Sequence, residues 1–296
     1  MKNLIIVITD FNGYTQTRCC LEALAVSQYL TFTVLVVDHG TNDTTQIGLA
    51  KDFPDVIRLE GSSELWWTGA TNLGIRAAIE RGADYVMLLN NDCYVAPDTV
   101  GHLVQLTEAY PEAIIAPVQR DWQSGQITSI SPSTCFLLRF STIGGPKRLS
   151  ADMLVRDVLP VKLILGGRGA LIPSAVFNKI GLFDEKRLPH YGADHDFYLR
   201  AQKKNITLYI ALQTFVLIND KRTTLADNPS RLNIIQFVQS LICVRSHRNI
   251  FDVNTLFKLH YPAPSLYFLG VTFYILRYML VYCLRRVFTR SKLNRH

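Results

Sequence analysis

The sequence predicts an α/β fold with a mainly parallel central sheet flanked by helices, and three observations carry that expectation. Short β-rich apolar runs alternate with helical stretches along the chain. The runs are apolar nearly throughout, as strands covered on both faces are, rather than alternating apolar and polar. Each early run ends in a cluster of polar turn residues. A chain of 296 residues that is 48% hydrophobic and 19% charged can bury such a core, and its composition excludes a disordered chain.

Taken in order, Leu4–Thr9 reads as a buried first strand, followed by the turn Asp10–Gly13 and a helix around Thr17–Ser27. Phe32–Asp38 is a second buried strand that ends in the turn residues His39–Thr45, and Val56–Leu59 a short third. Asn72–Arg81 is a helix, and the fourth strand, Tyr85–Leu89, runs into Asn90-Asn91-Asp92. Residues 111–165 are less regular. Leu163–Pro173 is strand-like with a glycine cluster, Val176–Ile180 and Asp194–Lys204 are helical, and Thr207–Ile218 forms two short apolar runs. No repeat or low-complexity linker interrupts this order, so one domain is expected over residues 1–230 and a helical extension over 231–296. In open sheets of this kind ligands lie beyond the carboxyl ends of the strands, which places Asp10, Asp38 and Asp92 on one rim.

The formal net charge is +7, and its position matters more than its size. After Asp252 the sequence has no Asp or Glu, whereas Lys258, Arg277, Arg285, Arg286, Arg290, Lys292 and Arg295 are basic. Those residues account for the whole excess. The folded part is neutral on balance and is not expected to bind nucleic acid. Six cysteines, at 19, 20, 93, 135, 243 and 283, form no CxxC pair, which argues against a disulfide framework or a zinc site and suits a reducing cytosol. The first apolar run is too short for a signal peptide and reads as a strand.

Leu266–Leu276 and Tyr278–Leu284 are nearly continuous apolar runs, interrupted by Arg277 and closed by Arg285-Arg286. This pattern fits a basic, aromatic helix lying on an anionic membrane surface, over about 261–290; an Arg at the centre of a span is costly. A C-terminal core helix is the alternative.

Three clusters carry the chemistry. In VVDHGTND, Asp38 can accept hydrogen bonds from a ring N–H or a ribose hydroxyl, or simply form the turn. In LLNNDC, Asn90 and Asp92 offer oxygens to a hard divalent cation, Mg²⁺ or Mn²⁺, which reverses the repulsion between a carboxylate and a diphosphate. In YGADHDFYLRA, Asp196 reads as the helix cap and Asp194 as a carboxylate facing the cleft, placed to take a proton from an incoming hydroxyl; His195 is the alternative base. Trp67, like Trp66, suits either stacking on a sugar face or core packing. His190 and Tyr191, beside the acid, are candidates for acceptor contacts or for loop packing. Arg168 in the glycine cluster can meet a phosphate or a structural carboxylate.

Together the stretches IIVITDFNGYTQTRCCLEAL, VLVVDHGTND, WWTGATNLGIRAAIERGADYVMLLNNDC, GGRGALIPSAVFNKIGLFDE and YGADHDFYLRA resemble the family 2 glycosyltransferases of the GT-A fold over about residues 3–225. Trp67–Cys93 is the most specific part and is similar to the rhamnosyltransferase-like branch that builds bacterial surface polysaccharides. The resemblance implies that residues 1–230 form the catalytic domain of an inverting enzyme. Such an enzyme moves a sugar from a nucleotide-diphosphate donor to a saccharide or lipid-linked acceptor at the cytoplasmic face of the plasma membrane. It implies that Thr9, Asp10 and Asp38 hold the nucleoside and that Gly69, Asn72, Arg76 and Asn91 line the donor site. Asn90-Asn91-Asp92 would be the Asp-x-Asp element with Asp92 on the metal, and Asp194 the base. The chain departs from the pattern at Asn90, at Ala193 before the base, and at Asn219, where relatives carry a metal-binding His. These departures keep a non-catalytic sugar-nucleotide binder as the alternative; a sugar nucleotidyltransferase is disfavoured because residues 9–20 lack a basic, glycine-rich phosphate loop.

Overall fold

A computed structural model describes residues 2–130, 132–136, 139–142, 150–219 and 232–293. The chain divides into two compact units: residues 1–133, 143–185 and 193–219 form the first, and residues 134–142, 186–192 and 220–296 the second. The short segments 134–142 and 186–192 thus belong with the C-terminal residues.

The first unit opens with β1 (Leu4–Asp10), α1 (Tyr14–Ala25), β2 (Phe32–Asp38), α2 (Thr44–Asp52) and β3 (Ile57–Glu60). It continues through α3 (Trp66–Glu80), β4 (Tyr85–Asn90), β5 (Cys93–Val95), α4 (Thr99–Ala109), β6 (Ile114–Asp121) and β7 (Ile127–Ser129). After β8 (Ser133–Cys135) and β9 (Arg139–Thr142), which pair with each other, come α5 (Ala151–Leu154), β10 (Val158–Val161) and β11 (Arg168–Pro173). It ends with α6 (Ser174–Ile180), α7 (Ala193–Lys203) and β12 (Leu208–Ile218).

Among the described residues the central sheet runs β10-β12-β6-β11-β4-β1-β2-β3, with β5 beside β12 and β7 beside β6. Every residue of β1 is buried, because its branched aliphatic side chains meet helices on both faces of the sheet. α1 turns Thr17, Cys20, Leu21 and Leu24 inward at the three- and four-residue spacing of a helical stripe. The strands β3, β2, β1 and β4 are parallel, as expected. Beyond β4 the sheet is mixed: β11 runs antiparallel to both β4 and β6, while β6 and β12 are parallel to each other.

The segment expected to be irregular, 111–165, contains a central strand, β6. Pro117 disguises that strand, since it lacks the N–H that a central strand uses on its neighbours. The sheet accommodates it on both sides. The β12 register shifts between Ala211 and Phe215 opposite Pro117 and Val118, which also explains why that strand reads as two runs. On the other side β11 shifts register at Gly169, whose φ of +84° and position against Pro117 Cγ, 2.9 Å from where a Cβ would stand, admit only glycine. α2 and a longer α3 were likewise hidden, α2 behind the turn-forming residues that precede it.

The second unit contains α8 (Ile234–Ile242), α9 (Ile250–His260) and α10 (Tyr267–Leu293). Asn233 and Gln236 close a reciprocal capping box at the start of α8, and Asn249 caps α9 through Phe251 N–H. α10 lies on α9 where Gly270 leaves room for Tyr261 and Phe257, and Tyr282 of α10 stacks on Phe237 of α8 at 4.1 Å. The stretch Pro264–Arg286 has a mean hydropathy of 1.5 yet is only 17% buried. Phe268, Leu269, Phe273, Leu276, Met279, Leu280 and Leu284 are exposed on it. Such exposure does not fit the core-helix alternative.

Candidate active site

The parallel half of the sheet brings three strand ends side by side. Asp10 lies opposite Asp38 in the β1–β2 register, and Thr9 opposite Asn90 in the β1–β4 register. β11 completes the rim, since Asn90 N–H donates to Gly167 C=O at 2.6 Å. From β2 to β11 the rim crosses three inter-strand steps, about 14 Å, comparable to an extended nucleoside diphosphate. Two surface cavities of about 510 and 450 Å³ open elsewhere, around Lys2 and Asp84 and around Tyr110 and Tyr209, and no rim aspartate lines them.

At one end the Asp38 carboxylate is buried and accepts from Arg58 Nε at 2.8 Å. His39 follows it, buried against Phe11 with ring centroids 5.3 Å apart. Burial lowers the His39 pKa, and the nearby charges of Asp10 and Asp38 oppose that shift. Asp10 is fully buried, and its oxygens are occupied within the protein. They accept from Gly13 N–H at 2.8 Å, from Thr45 Oγ1 at 3.0 Å, from Asn91 Nδ2 at 3.3 Å and from Thr17 Oγ1. Asn91 also donates to Thr17 Oγ1 at 3.1 Å. Asp10 and Asn91 therefore brace the loop after β1 against the loop after β4.

Of the residues expected in the donor site, Gly69, Asn72 and Arg76 converge on an acid that the sequence analysis did not single out, whereas Asn91 bonds to Asp10 and Thr17. Asn72, buried, donates to Glu185 Oε2 at 2.8 Å and to Phe183 C=O at 2.9 Å, and accepts from Phe183 N–H at 3.1 Å. Arg76 pairs with the same Glu185 oxygen at 3.8 Å, and a Cβ on Gly69 would stand 3.7 Å from it. Asn72 thus clamps residues 183–185 on α3 and leaves Arg76 half-exposed. The signal was available: Glu185 closes the stretch GLFDE.

At the end of β4, where a metal element was expected, Trp67 Nε1–H donates to Asn90 Oδ1 at 3.0 Å, and the Trp67 ring stands edge-on to Phe183 at 5.7 Å. The bond fixes which amide atom of Asn90 is the oxygen and leaves its second lone pair available. Asp92 accepts from Cys93 Sγ at 3.4 Å, and its carbonyl accepts from Asn219 N–H at 2.9 Å, so the position of the missing histidine does abut the element. Burial first, then the Asp92 charge, pushes the Cys20 and Cys93 thiols up, so both stay protonated there. Among the described residues no three His, Cys, Asp or Glu side chains converge. One carboxylate and one amide oxygen nevertheless fit Mg²⁺, which keeps several waters and completes its shell with phosphate oxygens.

The proposed base is held by the glycine cluster. Asp194 Oδ2 accepts from Gly166 N–H at 2.8 Å, and Tyr198 Oη–H donates to Gly166 C=O at 3.2 Å. Asp194 and Tyr198 are four residues apart on α7 and share one helix face, so the helix grips both sides of residue 166. Burial, with the Asp194 charge second, pushes the Tyr198 phenol up. Oδ1 of Asp194 lies 3.6 Å from His195 Nδ1. Asp196 is buried and pairs with Arg200 Nε at 2.8 Å, a structural role. Arg200 in turn donates to Ile180 and Leu182 carbonyls. Arg168 donates to Gln119 Oε1 at 3.2 Å rather than to a carboxylate. His190 and Tyr191 fall in the second unit, where their rings meet edge to face at 4.6 Å.

An α/β sheet with hydrogen-bond acceptors along its strand-end rim and a carboxylate held over a glycine loop defines a class of proteins that bind ligands at that rim. The sequence pattern of "Glycosyl transferase family 2" matches residues 5–156, and the chain belongs to that family. Uncharacterized glycosyltransferases of Rickettsia typhi and Rickettsia prowazekii are 23% and 24% identical over 200 residues, 66% of this chain. The chain spans 57% of the length of these curated relatives. The crystal structure of GalNAc-T7 with UDP, GalNAc and Mn²⁺ superimposes with a TM-score of 0.61 at 11% identity, covering 89% of this chain and 53% of that one. S. aureus TarS 1-349 in complex with UDP-GlcNAc gives 0.56 at 12% identity, covering 99% and 92%. These similarities establish the expected GT-A fold.

Proposed function

We propose that this chain is an inverting glycosyltransferase that moves a sugar from a nucleotide-diphosphate donor to an acceptor hydroxyl. The observation that carries the proposal is the adjacency of two chemically different groups. Asn90 ends β4 with Asp92 two residues beyond it, and the Asp194 carboxylate is bonded to the residue next to Asn90's own backbone partner, Gly167. A base and a diphosphate-binding element need this neighbourhood, because the attacked carbon lies between the acceptor hydroxyl and the departing phosphate.

In this reading Thr9, Asp38 and the loops braced by Asp10 and Asn91 receive the nucleoside, while Gly69, Asn72 and Arg76 line the donor site. Asp92 and Asn90 hold Mg²⁺ or Mn²⁺, which when bound offsets the charge of the leaving diphosphate. Oδ1 of Asp194 takes the acceptor proton as the oxygen bonds to the anomeric carbon and the carbon–phosphate oxygen bond breaks. Gly166 N–H keeps the other oxygen in place, so the base is positioned before the acceptor arrives. Trp67, His190 and Tyr191 are proposed acceptor or sugar contacts. The nucleotide-bound neighbours and the family support this reading of donor class, and Mn²⁺ in one neighbour supports a metal. We further propose a lipid-linked or growing surface saccharide as acceptor, a rhamnosyl-type or other hexosyl donor, and a cytoplasmic enzyme resting on the inner membrane face through about residues 261–290. The exposed apolar, basic α10 supports that location.

Thermal shifts with nucleoside diphosphates, each with and without Mn²⁺, test the donor site. A metal-dependent rise for one base is expected. Sugar transfer that persists undiminished in Asp194→Asn would remove the proposed mechanism, and metal-dependent binding without turnover for any donor would leave a non-catalytic binder.

A further inference from the structure

We propose that α8 is a second membrane-inserting element, seated in the same anionic bilayer as α10; this rests on the membrane-surface reading of α10. At 100° per residue, Ile234, Val238, Ile242 and Ile235 fall within about 100° of one another on the helix, as a single aliphatic strip. All are exposed, between 51% and 68%, whereas Phe237 and Ser240 are buried. A nine-residue helix with a capping box at its start needs no such strip to form, and a solvated surface disfavours one.

The charges around the strip say what covers it. From Asn228 to Phe251 the sequence has no Asp or Glu, while Arg231 and Arg245 stand on either side of the helix in the sequence, and Arg245 is exposed. Arg248 is buried, its guanidinium over the Tyr278 ring, and takes no part. An apolar strip whose charged flanks in the sequence are cations is the pattern of a helix at an anionic lipid surface, with the aliphatic residues among the acyl chains and Arg245 at phosphate level. A protein partner burying four aliphatic side chains would not call for that one-signed border. α8 is also joined to α10, whose own exposed face carries Phe268, Phe273, Leu276 and Leu280: Tyr282 stacks on Phe237 and donates to Leu232 C=O at 3.2 Å. Two anchored elements bind more firmly than one, since the second inserts from a high effective concentration.

The test uses the full chain with vesicles of anionic phosphatidylglycerol mixed with phosphatidylethanolamine, against phosphatidylcholine alone. Hydrogen exchange is followed in peptides covering 232–244 and 264–286. Slowed exchange in both segments on anionic vesicles only, with roughly tenfold weaker vesicle binding for Ile235→Asp/Val238→Asp, is expected. Protection of 264–286 alone, with the double variant binding normally, overturns the role of α8 and leaves the α10 reading intact. No binding and no protection anywhere overturns the α10 reading itself. Protection of 232–244 that depends on protein concentration and not on lipid assigns the strip to a second copy of the chain and also overturns the proposal. Circular dichroism of the double variant guards against misfolding.

Discussion

Replacing Asp10 with alanine separates bracing of the rim from contact with the nucleoside. Four protein donors meet this fully buried carboxylate: Gly13 N–H, the Thr17 and Thr45 hydroxyls and Asn91 Nδ2. The two hydroxyls can rotate toward other acceptors, and Asn91 Nδ2 keeps Thr17 Oγ1 at 3.1 Å and Gly13 C=O at 3.5 Å, but the Gly13 N–H cannot turn without moving its loop. A buried donor left unsatisfied costs about 1–3 kcal/mol, so Asp10→Ala is expected to lose roughly 2 kcal/mol. At roughly 2–4 °C per kcal/mol for a domain of this size, the melting temperature should fall by about 6 °C. Asp10→Asn keeps one acceptor oxygen and the shape, and should lose less than half as much. Thermal unfolding by circular dichroism measures the loss, and titration with the nucleoside diphosphate well below the transition measures binding. A variant that melts within about 2 °C of the parent yet binds nucleotide tenfold or more weakly would refute the bracing argument and assign the carboxylate to the ligand.

Asp194→Asn retains an oxygen for Gly166 N–H, so it should leave stability and donor KM nearly unchanged while lowering kcat by about 10²–10⁴, measured by steady-state transfer. Trp67→Phe keeps the ring against Phe183 but removes the bond to Asn90; we expect a loss of about 1 kcal/mol and a severalfold rise in the metal concentration for half-maximal activity, read from metal titrations. In the second unit, burial raises the Asp252 pKa from 3.8 to about 7, and burial lowers that of His247 from 6.5 to about 4. Between about pH 4 and 6.5 the folded state binds more protons than the unfolded at Asp252 and fewer at His247, so the two slopes oppose each other. Asp252→Asn leaves the His247 slope alone, and stability should then rise with pH across that window; an unchanged, flat profile in thermal melts would contradict the assignment.

The strand-end rim was legible because its ingredients are local. Buried strands advertise themselves by apolar, branched runs, and each ends where Asp10, Asp38 or Asn90 begins a polar turn. The sheet topology then follows from short parallel crossovers, which is why β1, β2 and β4 and their acids fell where expected. β6 was not legible, because Pro117 argues against a central strand and is tolerated only through a bulge in β12 and the left-handed Gly169, two segments distant in sequence. The division of labour among the polar residues was equally invisible. A carboxylate with four protein donors and one that accepts from a backbone N–H and faces a histidine ring look the same in a sequence, so the settings of Asp10, the brace, and Asp194, the proposed base, were separated only by the coordinates. The sequence by itself determined the family, the strand-end acids and the one-sided charge of the C-terminal segment, since those depend on residue type and spacing along the chain. Only the tertiary structure decided that Glu185 gathers Gly69, Asn72 and Arg76, that Gly166 is gripped by Asp194 and Tyr198, and that α8 carries an uncovered aliphatic strip. Those facts depend on which distant groups satisfy one another's hydrogen bonds or cover one another's surface, and no local pattern encodes that pairing.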